Sequence, residues 1–308
     1  MCRHAAWLGA PRTLVTLLGE PRGLLGQSYA PRLQRGGRVN ADGFGAGWYV
    51  PGRRAPLRYR RSVPIWADAN LPGIASVARS ACLLAAVRSA TPGMPVEESA
   101  TAPFTDGRRL LSHNGRVAFK AVEPLLDGRV PESACDSAWL AAAVFARLAA
   151  GAPLGDAVAD VVVRAGTDDP GARLNLLVAD GRGLAATAWN ETLFLHLGEW
   201  GEDHDPSPAE GHGGTPFAGE PPDDEESWTR NHHANPAEGH GDTPFAGEPP
   251  DDGAGWNGDG DMSSGERGEG ARGTLVASEP LDDRPGWDAV PDRHLVLATP
   301  AGVRLRPL

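Results

Sequence analysis

Residues 208–224, PAEGHGGTPFAGEPPDD, recur at 236–252 as PAEGHGDTPFAGEPPDD, with Asp242 in place of Gly214 as the single change. The two copies sit in a stretch, residues 201–272, that carries 18 acidic residues and 3 arginines among many glycines and prolines. Stacked repeats need apolar faces to bury against their neighbours, and these copies lack them, so they do not read as a solenoid. A segment this polar cannot bury enough apolar surface to offset the entropy of ordering it. Composition therefore predicts a duplicated, disordered acidic insert at 201–272. The ordered chain is split around it, into residues 1–200 and a C-terminal part, 273–308, whose strands complete the same domain.

Charge follows the same division. The formal charge of the chain is -11, but the insert alone carries -15 and the remainder +4. A near-neutral body without a Lys/Arg block gives no reason to expect nucleic acid as a partner. Lys120 is the sole lysine, a skew that reads as GC-rich coding and lowers the information in any one arginine. Cys2, Cys82 and Cys135 are odd in number, with no CxxC and no zinc-like spacing, which argues against a disulfide framework or a metal site. The start, Met1-Cys2-Arg3-His4, has no apolar signal region, and no run is long enough to span a bilayer. A cytoplasmic protein with no membrane partner is expected, and the sequence leaves its oligomeric state open.

Strands are expected at Cys2–Leu8, Gly43–Val50, Leu57–Val63, Ala81–Val87 and Arg109–Ser112, from short apolar runs bounded by turn residues. GFGAGWYV at 43–50 is rich in glycine, which suits a strand approached closely by other backbone. Asp136 reads as the N-cap of a helix over SAWLAAAVFARLAA, and a second helix follows at Leu154–Arg164. Strands resume at Leu174–Ala179, Leu184–Trp189 and Leu193–Leu197. Beyond the insert, TLVAS, HLVLATP and GVRLRPL read as three more, the last two a hairpin around Pro300-Ala301-Gly302. Strands, then two helices, then strands point to a layered α+β domain rather than alternating βαβ units.

Four places carry potential chemistry. Aminopeptidases remove Met1 when the next side chain is small, which would leave Cys2 with a thiol beside its own α-amine. That amine, with an ordinary pKa of about 7.7–8.0, can act as the thiol's base. Arg88, at the end of an apolar strand in AVRSATPG, can grip a carboxylate bidentately, although taken alone a snorkelling surface arginine is the better reading. Asn114-Gly115 after LLSH can supply a carboxamide N–H and a backbone N–H to an oxyanion, or form an ordinary Asn-Gly turn. Asp136 can bind an ammonium as well as cap its helix.

Taken together, Met-Cys at the start, AVRSAT, SHNG and the CDS before a long helix resemble the class II glutamine amidotransferase domain of the N-terminal-nucleophile hydrolases. NADGFGAGWY at 40–49, TPGMPVEESATAPF at 91–104 and ASEPLDDRPGW at 277–287 are similar to one branch of it, the γ-glutamyl hydrolases of ergothioneine biosynthesis. That branch acts on γ-glutamyl-hercynylcysteine S-oxide. The resemblance spans 1–200 and 273–308. It departs from the wider amidotransferase pattern where Thr91 is followed by Pro92 in place of the common histidine.

The resemblance implies a four-layer αββα sandwich and a set of roles. Cys2 would be nucleophile, with Asn114 and Gly115 as oxyanion donors. Arg88 would hold the glutamyl α-carboxylate and Asp136 its α-ammonium, with Ser89 and Thr91 nearby and Asn40 and Asp42 in a bordering loop. No metal or other cofactor is implied, and the partner is a small γ-glutamyl substrate. Trp7, Tyr49 and Trp66 are candidates to receive the trimethylammonium of the leaving group. About 236 ordered residues suffice for one sandwich and leave no fused acceptor domain, so hydrolysis is favoured over ammonia transfer. A stand-alone glutaminase supplying a partner is the alternative within the class. A metal-binding or interaction protein is the alternative outside it, because His204, His212, His232, His233 and His240 lie in the insert. A catalytically silent relative that keeps Met1 is a third.

Overall fold

A computed structural model describes residues 2–19, 22–35, 37, 39–200 and 271–308. The strands, in chain order, are β1 (Arg3–Thr13), β2 (Phe44–Trp48), β3 (Leu57–Arg61), β4 (Arg79–Val87), β5 (Phe104–Thr105), β6 (Leu110–Arg116), β7 (Arg173–Ala179), β8 (Leu184–Ala188), β9 (Phe194–Trp200), β10 (Ala271–Ala277), β11 (Trp287–Ala289), β12 (His294–Thr299) and β13 (Gly302–Pro307). The helices are α1 (Val15–Leu18), α2 (Leu24–Tyr29), α3 (Leu71–Val77), α4 (Phe119–Val122), α5 (Asp136–Ala149) and α6 (Leu154–Asp168).

The strands form two antiparallel sheets, β11-β9-β10-β1-β4-β2-β3 and β13-β12-β8-β7-β6-β5. Because side chains alternate across a strand, an inner strand can supply two cores. In β1, Ala5 and Trp7 join one buried cluster with Leu17, Leu24 and Leu71 of α1, α2 and α3. Ala6 and Leu8 join another with Leu177 and Ala186 of the opposite sheet. In β7, Leu174, Leu176 and Val178 face a third cluster with Val144 of α5 and Val161 of α6. Three cores between four layers make the αββα sandwich that the resemblance implied.

Close approach explains the glycines of β2. A Cβ at Gly45 would stand 2.2 Å from the Ala102 carbonyl oxygen, and one at Gly47 2.6 Å from Leu110 Cδ1. The expected strands are all present, with β6 running on to Arg116 and so taking Asn114-Gly115 into the sheet rather than into a turn. The hairpin of β12 and β13 pairs Thr299 with Gly302, as expected.

Differences emerge beyond the short strands β5 and β11 and helix α4, which were not expected. Asp136 is the first residue of α5 rather than its N-cap, a position held by Cys135 in extended conformation. The helices over the first sheet, α1, α2 and α3, have 4, 6 and 7 residues, too short for a 3.6-residue period to show itself, and sequence reasoning missed them. Finally, β10 begins at Ala271, three residues before the expected TLVAS strand, and Ala271 pairs with Trp200 of β9. Residues 201–270 thus connect the two arms of one hairpin. The disorder expected of them lies outside the described residues. No helix among the described residues is long and apolar enough to cross a membrane.

Candidate active site

β1 is central in its sheet, flanked by β10 and β4, and its start pairs Arg3 with Val87. That register sets Cys2 beside the end of β4, with its Sγ 4.0 Å from the Ser89 carbonyl oxygen. A narrow cleft there is lined by Cys2, Arg88, Thr101, Phe104, His113 and Ser137 among others. Cys2 is half-buried, whereas Cys82 and Cys135 are buried. Burial pushes the Cys82 thiol up to about 12 and raises Cys135 as well. An unreactive pair and one accessible sulfur leave Cys2 as the thiol able to meet a substrate.

β6 brings the next components from the facing sheet. His113 lines the cleft, and Asn114 follows it, fully buried, with its Nδ2 3.2 Å from Ser278 Oγ. The same Ser278 oxygen accepts the His4 backbone N–H at 3.0 Å, so the carboxamide stands one hydrogen bond away from the chain two residues after Cys2. Gly115 pairs with Leu174. A Cβ on it would fall 1.9 Å from the Arg173 carbonyl oxygen, so glycine is required.

Asp136 is buried. Its Oδ2 accepts the Val117 N–H at 3.0 Å and its Oδ1 the Ser137 N–H at 2.8 Å. His113 Nε2 lies 2.9 Å from the Arg173 carbonyl, an acceptor only, so Nε2 carries the proton. Nδ1 therefore accepts, and takes the Ser137 hydroxyl proton across 2.9 Å. Ser137 Oγ also lies 3.4 Å from Asp136 Oδ1, and with its proton directed at the closer Nδ1 the carboxylate keeps lone pairs for a cation. Burial lowers the His113 pKa, partly opposed by the nearby Asp136 charge. His4, fully buried with its Nδ1 3.1 Å from Ser112 Oγ, is held well below the usual imidazole range by burial and by the charges of His113 and Arg3. Both rings are neutral near pH 7.

The other expected residues divide into two groups. Arg88 is buried at the cleft, its N–H bonded to Gly43 O at 2.8 Å and its Nη1 3.5 Å from Asp42 O. Asp42 fixes that segment through its Oδ2, which accepts the Ala90 N–H at 2.7 Å. Asn40 stands apart from the cleft lining. It is fully buried, and its Nδ2 donates to Gln27 O and Gln34 Oε1, both at 3.1 Å, tying its loop to α2. Thr91 is half-buried and its carbonyl accepts the Met94 N–H, also off the cleft lining. Cys2 and Arg88 thus share one cleft, while Asn114 and Asp136 are not among its lining and adjoin in sequence two residues that are, His113 and Ser137. Sequence reasoning assigned no role to Ser278, Ser137 or His113, although each lay inside a motif it had singled out.

The aromatic candidates are corrected. Trp7 has the opposite parity to His4 on β1 and packs into the helix-side core. Tyr49 lies at the far end of β2, lining a wider hollow with Arg53, Arg79 and Arg182. Trp66 packs its ring 6.2 Å from that of Tyr29. Phe104 is the aromatic side chain at the cleft among the described residues.

No protein-family model matches the chain. The γ-glutamyl-hercynylcysteine sulfoxide hydrolase of Mycobacterium tuberculosis is 50% identical over 196 residues, which are 63% of this chain and 79% of that protein. The protein of the same name from Mycolicibacterium smegmatis is also 50% identical over 196 residues, covering 82% of its length. Among solved structures, a class II glutamine aminotransferase domain protein from Silicibacter pomeroyi superposes with TM-score 0.55 at 18% identity, over 99% of both chains. The glutamine phosphoribosylpyrophosphate amidotransferase of Bacillus subtilis gives 0.56 at 12% identity, over 100% of this chain and 49% of its own. These structures establish the fold, and the identity and coverage of the mycobacterial proteins establish the kinship: the chain belongs to the γ-glutamyl-hercynylcysteine sulfoxide hydrolase family.

Proposed function

We infer that the chain hydrolyses the γ-glutamyl amide of γ-glutamyl-hercynylcysteine S-oxide, releasing glutamate and hercynylcysteine S-oxide. The observation that carries the reading is a half-buried Cys2 sharing a cleft with Arg88, in a chain 50% identical to hydrolases of that name. After loss of Met1, the α-amine of Cys2 takes the thiol proton and the sulfur attacks the γ-carbonyl carbon. Asn114 and Gly115 receive the negative charge that develops on oxygen. Collapse breaks the C–N bond, and the α-ammonium returns the proton to the leaving amine. Water, deprotonated by the same amine, then cleaves the thioester and frees glutamate and the thiol.

Arg88 and Asp136 give the glutamyl head its specificity, a cation for its α-carboxylate and an anion for its α-ammonium. A ligand lacking either charge leaves a buried partner unmatched, which discriminates far more strongly than a missing methylene. Three free cysteines among the described residues accord with a reducing, cytoplasmic setting. The test offers γ-glutamyl-hercynylcysteine S-oxide and glutamine side by side and quantifies glutamate. Faster turnover of the sulfoxide is expected, and a wide preference for glutamine would replace this assignment by a stand-alone glutaminase.

A further inference from the structure

Ser278 follows β10 and is fully buried. Its backbone N–H donates to the His4 carbonyl at 2.9 Å, and its Oγ accepts the His4 N–H at 3.0 Å. The direction of the second bond is fixed, because a backbone N–H can only donate. The hydroxyl therefore still has its own proton to place. Its remaining hydrogen-bond neighbour is the Asn114 carboxamide, with Nδ2 3.2 Å from Ser278 Oγ and with Oδ1 buried without a partner. That orientation leaves two buried groups unmet, the serine proton and the amide oxygen. The two ends of a carboxamide are nearly the same shape, so a half-turn about its last torsion costs nothing in packing. After the turn, Oδ1 accepts the serine proton. The NH2 then takes the place of Oδ1, which is buried and has no protein hydrogen-bond partner, and so keeps a donor to offer to a ligand oxygen.

We propose that Ser278 is the positioning residue of the oxyanion site: anchored by the His4 N–H, it gives its proton to Asn114 Oδ1 and so presents the carboxamide N–H to the reacting carbonyl. This rests on the reading of Asn114 given under Proposed function. The linkage also ties the oxyanion donor to the strand that carries the nucleophile, since His4 and Cys2 belong to one continuous stretch of chain.

The test is a double-mutant cycle on the full chain with γ-glutamyl-hercynylcysteine S-oxide, comparing wild type, Ser278→Ala, Asn114→Ala and the pair, with thermal melts alongside. Ser278→Ala is expected to lower kcat by about 10- to 100-fold at nearly constant KM, less than the about 10²–10³-fold of losing the donor itself. In the Asn114→Ala background the same change is expected to alter kcat by less than about twofold, because the group it orients is gone. A uniform loss in both backgrounds would mark a merely structural serine and overturn the proposal, as would a Ser278→Ala enzyme as fast as wild type. If the alanine variant fails to melt cooperatively, Ser278→Cys enters the same cycle, since it keeps the γ atom but is a much weaker donor. An inactive wild type sinks the functional reading itself, whereas an active wild type with indifferent Ser278 variants sinks only the positioning role.

Discussion

At the scale of single residues, the site is built from groups that have no freedom to be otherwise. Gly115 is the sharpest case, since a methyl group there would need space already held by the Arg173 carbonyl. Gly115→Ala should therefore spread β6 from β7, costing stability and the backbone donor together. Circular dichroism melts and glutamate release are expected to fall in parallel. Asn114→Ala is expected to behave differently, keeping a cooperative melt with a modest loss of stability while kcat falls by about 10²–10³. The sequence exposed both residues because SHNG is a contiguous motif. It exposed neither the Ser278–Asn114 contact, 164 positions apart, nor the tautomer of His113, because both depend on which strands the fold brings together. Asn40 is the converse: a motif residue whose partners, Gln27 and Gln34, hold a loop.

At the scale of elements, the strands were legible because a buried strand writes short apolar runs, and α5 and α6 because 14 and 15 residues show several turns of periodicity. The short helices over the first sheet were not, since four to seven residues hold at most two turns. What joins β1 to the end of β10 was also hidden. Arg3 and Glu279 are buried there at 0% and 1% exposure, with Nε 3.7 Å from Oε1. Glu279 Oε2 also accepts the Arg32 and Leu33 N–H groups at 2.8 and 3.1 Å. Burial raises the Glu279 carboxyl, and Arg3 opposes that. Removing one member of a buried pair strands the other, so Glu279→Ala is expected to cost about 3–5 kcal/mol by urea unfolding.

The buried histidines couple the two sheets to pH. His4 and His113 have folded-state pKa values below the ordinary imidazole value of 6.5. The unfolded chain therefore binds more protons than the folded one as pH falls below that value, and stability is lost in that direction. Urea unfolding should be nearly flat above pH 7 and should weaken below about 6.5, by up to about 1.4 kcal/mol per pH unit for each ring. His4→Gln should halve the slope. A slope unchanged in that variant would mean that His4 is not the buried neutral group its surroundings imply.

At the scale of the whole molecule, the question is how a chain tolerates 70 residues between two strands in register. Trp200 pairs with Ala271, so the hairpin is already closed where residues 201–270 leave it, and its pairing asks nothing of them. For a flexible loop the entropy of closure rises only with the logarithm of length, about 0.6 kcal/mol for each doubling. Joining Trp200 to Ala271 through Asn-Gly, a turn suited to a two-residue hairpin, shortens the connection by about five doublings. The shortened protein is expected to be more stable by up to about 3 kcal/mol in urea and to keep its kcat/KM for the sulfoxide. The sign of that change is the informative part. A loss of stability would mean that 201–270 packs against the sandwich, contrary to what its composition implies. A loss of activity with stability retained would instead give the duplicated acidic segment a part in turnover.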